Sequence, residues 1–219
     1  MIAKDLINYM IPPLRPEDDI SRALGWMEEL RIDQLPVLSD KTFQGFLSEE
    51  TILNLNKVYE KVSEYELSFA NCVAESRQHY YEVVRLAYEN TSSLVAVVNG
   101  EEYLGVISVQ DVVEAFAQTS SVNFPGGIIV ITLKQIDYSL SEISRLIEAE
   151  NAKILSSYVS ANDADTSMIK LTLKLNKEDL SHITATLRRF DYVVEEHSSE
   201  LKEVDDKERL EILMKYLKI

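Results

Sequence analysis

The chain has 219 residues, 46% of them apolar, and a formal net charge of -15. That length holds one large domain or two small ones, and the acidity opposes nucleic acid and anionic lipid surfaces as partners. No run of about eighteen apolar residues predicts a membrane span, and the single Cys72 cannot form an internal disulfide, which fits a reducing compartment. The opening Met1-Ile2-Ala3-Lys4-Asp5 has no basic stretch ahead of an apolar one, so no signal peptide is expected, and the expected location is cytoplasmic.

In chain order, an extended lead-in, Ile11-Pro12-Pro13-Leu14-Arg15-Pro16, precedes a helix capped by Asp18 or Asp19 that runs to about Arg31. A strand is expected from Leu35 to Leu38, a turn at Asp40-Lys41, a strand from Phe43 to Leu47, and a helix from Glu49 to about Val62. The pattern then starts again. A shift of sixty residues lays Val37 on Val97, Gly45 on Gly105 and Ser48 on Ser108 without a gap. Ile20, Ala23, Leu24 and Met27 fall on Tyr80, Val83, Val84 and Ala87, one helical face in each copy. In the second copy Asn99-Gly100 is a hairpin turn, and the closing helix runs from Val109 to about Gln118.

The stretch from Gly105 to Asp111 reads as the end of a buried strand turning directly into a helix. Ser108 is a natural N-cap, and Asp111 sits in the first turn, where the helix dipole favours an acid. As a local device this is a capping box with Asp in place of Glu. As a site, it places a hydroxyl and a carboxylate at one helix mouth, a geometry suited to a pair of sugar hydroxyls. Ser48-Glu49-Glu50-Thr51 keeps the hydroxyl but has Thr51 where the acid would stand. One hydroxyl cannot accept from both ribose hydroxyls as a carboxylate can.

Carried by Arg31-Ile32-Asp33-Gln34-Leu35-Pro36-Val37 and the two Gly-x-x-Ser stretches, the pattern over about residues 1–118 resembles a tandem CBS-domain pair, or Bateman module. The resemblance implies two copies packed through their strands about a pseudo-two-fold, with two clefts that take adenosyl compounds. It also implies a ribose-binding Ser/Thr-x-x-Asp at the start of the closing helix, which Ser108 and Asp111 match. The family layout would bring backbone groups of Asn71-Cys72-Val73-Ala74 to the base, with apolar cover from Val73 and Ala96. Arg77 and His79, with Arg15 as their counterpart in the first copy, are either phosphate contacts or ordinary solvated side chains among Glu75, Glu82 and Glu89. The implied ligand is AMP, ATP or S-adenosylmethionine, and no cofactor is obligatory.

Thr119 to Asn123 is a polar break, and Pro125-Gly126-Gly127 ends it. Strands are expected at 128–133, 154–160, 168–175 and 192–196, with a turn at 162–165. One helix is capped by Ser139 or Ser141, with Leu140, Ile143, Leu146 and Ile147 on one face; a second starts within 176–179 and reaches about Phe190. The order βαββαβ reads as a ferredoxin-like sandwich, and the lead-ins at 125–127 and 150–154 are similar to an ACT domain. The loop Lys134-Gln135-Ile136-Asp137-Tyr138 lacks the glycine with which such domains approach an amino acid. That favours a dimerisation or transmission role.

The expected fold class is α/β (α+β): a first CBS repeat at 1–62, a second at 63–122, an ACT-like domain at 125–198 and a C-terminal amphipathic helix at 199–219. Tyr59, Tyr65, Tyr80, Tyr81 and Tyr88 are expected where helix faces meet. No catalytic set is present: His79, His182 and His197 have no i,i+4 or Cys partner, and Asp163 and Asp165 lack the Gly and closing Glu of a calcium loop. The expected protein is a non-enzyme without a metal site, a homodimeric regulatory sensor that binds an adenosyl compound around Asp111. Its ACT-like domain would pass the change to an unidentified protein partner. The alternative is a ligand-free dimerisation scaffold; neither reading includes nucleic acid or membrane as a partner.

Overall fold

The sixty-residue shift holds strand by strand. In the computed structural model, which describes residues 1–54, 60–119, 121–162 and 165–197, the first copy carries α1 (Ile20–Leu30), β1 (Gln34–Ser39), β2 (Thr42–Ser48) and α2 (Glu49–Leu53). The second carries β3 (Val73–Glu75), α3 (Tyr80–Asn90), β4 (Leu94–Asn99), β5 (Glu102–Ser108) and α4 (Val109–Thr119). β1 pairs antiparallel with β2 from Gln34↔Ser48 to Ser39↔Thr42. β4 pairs with β5 from Leu94↔Ser108 to Asn99↔Glu102, sixty residues on at every pair. Both hairpins bulge at the same place, after Val37 and after Val97. β3 runs parallel to β4 with Ala74 opposite Val97, and the first copy reproduces this as the single parallel bridge Leu14↔Val37.

The first and third helices end alike, at Arg31 (φ 55°) and Thr91 (φ 51°), each left-handed and donating its N–H back to the last turn. α1 buries Ile20, Ala23 and Met27; α3 buries Tyr80, Val83 and Leu86. Val84, expected on the buried face, is 42% exposed. Tyr65 and Tyr80 are buried as expected, but Tyr81 and Tyr88 point to solvent, because α3 packs only one stripe and they fall outside it. Tyr59 lies outside the described residues. The first closing helix, expected to about Val62, runs from Glu49 to Leu53 with Asn54 as its C-cap; positions 55–59 lie outside the described residues, and Val62 sits in a short 3-10 turn. Asn, which competes with its own backbone for hydrogen bonds, is a poor residue to carry a helix onward.

The chain divides into two compact units between Phe116 and Ala117, within α4. The second unit has β6 (Ile128–Lys134), α5 (Leu140–Ala149), β7 (Ile154–Ala161), β8 (Met168–Leu175), α6 (Ser181–Arg189) and β9 (Val193–His197). Its sheet is antiparallel in the order β7-β8-β6-β9, the ferredoxin-like arrangement of a βαββαβ chain. Ile129, Ile131, Leu171 and Leu173 on one sheet face share a core with Ile143 and Ile147 of α5 and Ile183 and Leu187 of α6, so both helices cover that face. Leu140, expected on the buried stripe, is 36% exposed. α6 begins at Ser181, later than 176–179, because the Asp179 carboxylate accepts from the Ser181 N–H (3.0 Å) and holds a turn there. Gly126 (φ +139°) lets the chain enter β6 against Leu175, whose carbonyl oxygen would lie 1.9 Å from any Cβ. The tail helix expected at 199–219 lies outside the described residues, as do positions 163 and 164 of the turn.

Candidate functional site

Two crossings of the chain build the clefts. Asn8, ahead of α1, forms an antiparallel bridge with Val106 of β5 and donates its N–H to the Val106 carbonyl (2.8 Å). Ser68, sixty residues later, bridges Phe46 of β2, with N–H···O bonds of 2.8 Å in both directions. The segment just ahead of each copy's lead-in therefore lies on the other copy's second strand, while the lead-ins pair within their own copies, Leu14 with Val37 and β3 with β4. The approach is close enough to require glycine. A Cβ on Gly105 (φ +156°) would meet Ile7 Cγ2 at 2.4 Å, and one on Gly45 (φ +147°) would meet the Ser68 carbonyl oxygen at 2.9 Å.

Equivalent residues meet where the two copies face each other. Ser93 Oγ donates to Asp33 Oδ1, and the Tyr103 ring stacks on Phe43 with centroids 6.2 Å apart. Both pairs are sixty residues apart, which places them at the pseudo-two-fold. Tyr103 Oη is buried without a hydrogen-bond partner, and burial raises its pKa. The buried Gln34 side chain accepts from Ser92 Oγ (2.9 Å). These observations settle the architecture. The first unit has the architecture of a tandem CBS pair.

The cleft of the second copy has a volume of about 560 Å³ and is lined by Asn8, Met10 and Ile11, by Leu30 to Asp33, by Ser93 and Leu94, and by Ser108 to Asp111. Ser108 Oγ accepts from the Asp111 N–H (3.1 Å). Asp111 Oδ2 accepts from the Ser108 N–H (2.8 Å) and from Ser108 Oγ (2.6 Å). This is a reciprocal capping box at the start of α4. Across the cleft, Asn8 Nδ2 approaches both Asp111 oxygens at 3.3 Å. Two acids, Asp33 and Asp111, face one cation, Arg31, along this lining.

The cleft of the first copy is about 530 Å³. There Ser48 Oγ accepts from the Thr51 N–H (3.0 Å) and bonds to Thr51 Oγ1 (2.7 Å), so the helix start is capped without a carboxylate. Asp33, Glu49 and Glu50 line it, with no Lys or Arg among the described lining residues. Asp33 belongs to both clefts.

Ser108 and Asp111 are brought together as the sequence suggests. The other four candidates are not. Cys72 and Ala96 are wholly buried, Val73 pairs with Ala96 inside the β3–β4 ladder, and Arg77 is exposed; none lines the Asp111 cleft. The physical reason is the crossing: the segment beside Asp111, from Asn8 to Ile11, comes from the first copy, while the second copy's own lead-in is taken up in the β3–β4 ladder. Cys72 Sγ lies 3.4 Å from the Leu94 carbonyl oxygen, and burial pushes the thiol up to about 11. His79 caps α3 through Nδ1, which accepts from the Tyr81 N–H (3.3 Å). Asn8 and Met10 were missed by the sequence reading. Extending the sixty-residue register to Asn8 and Ser68 would have pointed to the crossing segments, although not to which strand each one meets.

No family model matches the chain. Among solved structures it is similar to a CBS domain pair/ACT domain protein from Thermotoga maritima, at 18% identity over 54% of this chain and 98% of that one, TM-score 0.49. It is also similar to CBSX2 from Arabidopsis thaliana, at 20% identity over 53% and 94% of the two chains, TM-score 0.46. A structure of CBSX2 in complex with AMP shows 22% identity over 53% and 96%, TM-score 0.47. These are likenesses of fold. Among the described residues, no group of three or more His, Cys, Asp or Glu is placed to hold a metal, and no helix is long and apolar enough to cross a membrane.

Proposed function

We propose that this CBS pair is a non-catalytic regulatory module that binds a nucleoside of the adenosyl class in the second-copy cleft, with Asp111 as the ribose acceptor. The observation that carries the reading is the Asp111 carboxylate, held at the start of α4 on the wall of a roughly 560 Å³ cleft. Its Oδ2 is tied into the capping box, while among the described residues Oδ1 meets only the long contact from Asn8. A carboxylate has about four acceptor directions, so Oδ1 retains capacity for hydroxyl donors. The first-copy cleft has Thr51 at the position equivalent to Asp111, and its three acids repel phosphate.

Arg31 supports a single phosphate, whereas Asp33, next along the lining, opposes a longer chain. The expected order of affinity is therefore adenosine, AMP and S-adenosylmethionine ahead of ATP. In this reading two copies of the chain associate, supported by the exposed Val109, Val113 and Phe116 along α4. The second unit transmits the change rather than binding an amino acid, because its loop after β6 is a glycine-free 3-10 turn, Gln135–Asp137, with Ile136 exposed.

Calorimetric titration of the full chain with adenosine, AMP, ATP and S-adenosylmethionine tests the proposal. Micromolar binding that weakens about tenfold or more in Asp111→Asn supports it, since the amide keeps the shape but loses the charge-assisted bonds. Absence of binding to all four ligands favours the scaffold. That second reading draws on one observation, that Ser108 and Asn8 already serve the Asp111 carboxylate.

A further inference from the structure

We infer that Asn8 is a built-in competitor for Asp111, so that a ligand enters the cleft by displacing the amide of one copy from the carboxylate of the other. This rests on the nucleoside reading above and concerns what the site demands of its ligand. Asn8 Nδ2 lies 3.3 Å from both Asp111 oxygens, longer than the roughly 2.7–2.9 Å of a good N–H···carboxylate bond in a charge-assisted pair. The contact is weak enough to yield to a hydroxyl. It is also held in place from behind. Asn8 Oδ1 accepts from the Met10 N–H (3.0 Å), closing an Asx turn, and the Asn8 N–H is fixed to Val106.

Because the backbone is pinned, the amide leaves Asp111 only by rotating its side chain, and rotation breaks the Asx turn at Met10. Met10 lines the cleft and is 76% exposed, so the turn that must open is part of the cleft wall. Occupancy of the carboxylate and the conformation of the segment ahead of the first copy's lead-in are thereby linked. Among the described residues the device exists once. At the equivalent positions of the first-copy cleft stand Ser68 and Thr51, two hydroxyls in place of an amide and an acid.

The consequence is a demand for a vicinal diol: only a ligand that brings hydroxyls to Asp111 repays the loss of Asn8. The test uses adenosine and 2′,3′-dideoxyadenosine, titrated against the full-length protein, Asn8→Ala and Asn8→Ser. Ser keeps a short acceptor for the Met10 N–H but carries no amide to Asp111, so it guards against a loss of local folding. Adenosine is expected to bind both variants about three- to tenfold more tightly than the unsubstituted protein, the scale of one modest hydrogen bond. Dideoxyadenosine is expected to bind all three alike. Unchanged or weaker adenosine binding in both variants overturns the inference while leaving the nucleoside site standing. Tightening of both ligands equally also overturns it, since the diol would then play no part. No binding of adenosine by any of the three proteins removes the nucleoside reading and this inference with it.

Discussion

Gly105→Ala probes the crossing on which the Asp111 cleft depends. Two costs follow from the structure. At φ +156° a side chain occupies a backbone region that L residues avoid, which costs about 1–3 kcal/mol. The new Cβ also lies 2.4 Å from Ile7 Cγ2, and overpacking of this kind costs about 1–3 kcal/mol more. The sum, roughly 2–6 kcal/mol, is a large part of the ordinary stability of a small unit. Gly100→Ala is the control: its φ of +64° carries a backbone cost of about 1–2 kcal/mol, but nothing lies within 4 Å.

Urea unfolding followed by far-ultraviolet circular dichroism should show Gly105→Ala lowering the midpoint by roughly 1–2 M more than Gly100→Ala, for a slope near 2 kcal/mol per M. Ile7→Ala removes the colliding methyl, so the Gly105→Ala/Ile7→Ala double variant should be more stable than the sum of the single effects by about 1 kcal/mol or more. Equal midpoints for Gly100→Ala and Gly105→Ala, or strict additivity in the double variant, would refute the claim that Ile7 fills the space a Cβ needs.

Gly126→Ala drives a Cβ to 1.9 Å from the Leu175 carbonyl, a backbone atom with no rotamer to retreat into. Amide exchange should then accelerate throughout β6 and β8 while β4 and β5 keep their protection, because the two cores are separate clusters. Cys72, raised to about 11 by burial, should resist thiol reagents at pH 8 until the protein unfolds. Its raised folded pKa means that the native state holds the proton longer than the unfolded chain. That stabilisation is full below about pH 9 and is lost as pH rises through about 11, a loss of roughly 2–3 kcal/mol that Cys72→Ala should not show.

Local grammar was legible from residues near one another in the chain. Asp40-Lys41 and Asn99-Gly100 mark the hairpins, the alternation Ile169, Leu171, Leu173, Leu175 marks a half-covered strand, and Ser108 with Asp111 marks a helix start; all are set by backbone geometry within a few residues. The sixty-residue repeat was legible too, because equal folds need equal spacing of glycines and apolar faces. The helix limit at Leu53 and the exposure of Tyr81, Tyr88 and Val84 were less so, since they depend on which neighbours a helix meets.

The partners of Asp111 were decided only by the tertiary structure. Nothing within sixty residues of Asp111 announces Asn8, and the natural assumption that a copy completes its own cleft led to Cys72, Val73, Ala96 and Arg77. The chain instead exchanges the segments ahead of its lead-ins, around Asn8 and Ser68, because Gly45 and Gly105 leave room for a crossing segment and because an exchanged pair buries both hairpins in one core. Pairing of that kind is a property of two surfaces meeting, and a one-dimensional pattern carries the surfaces without the meeting.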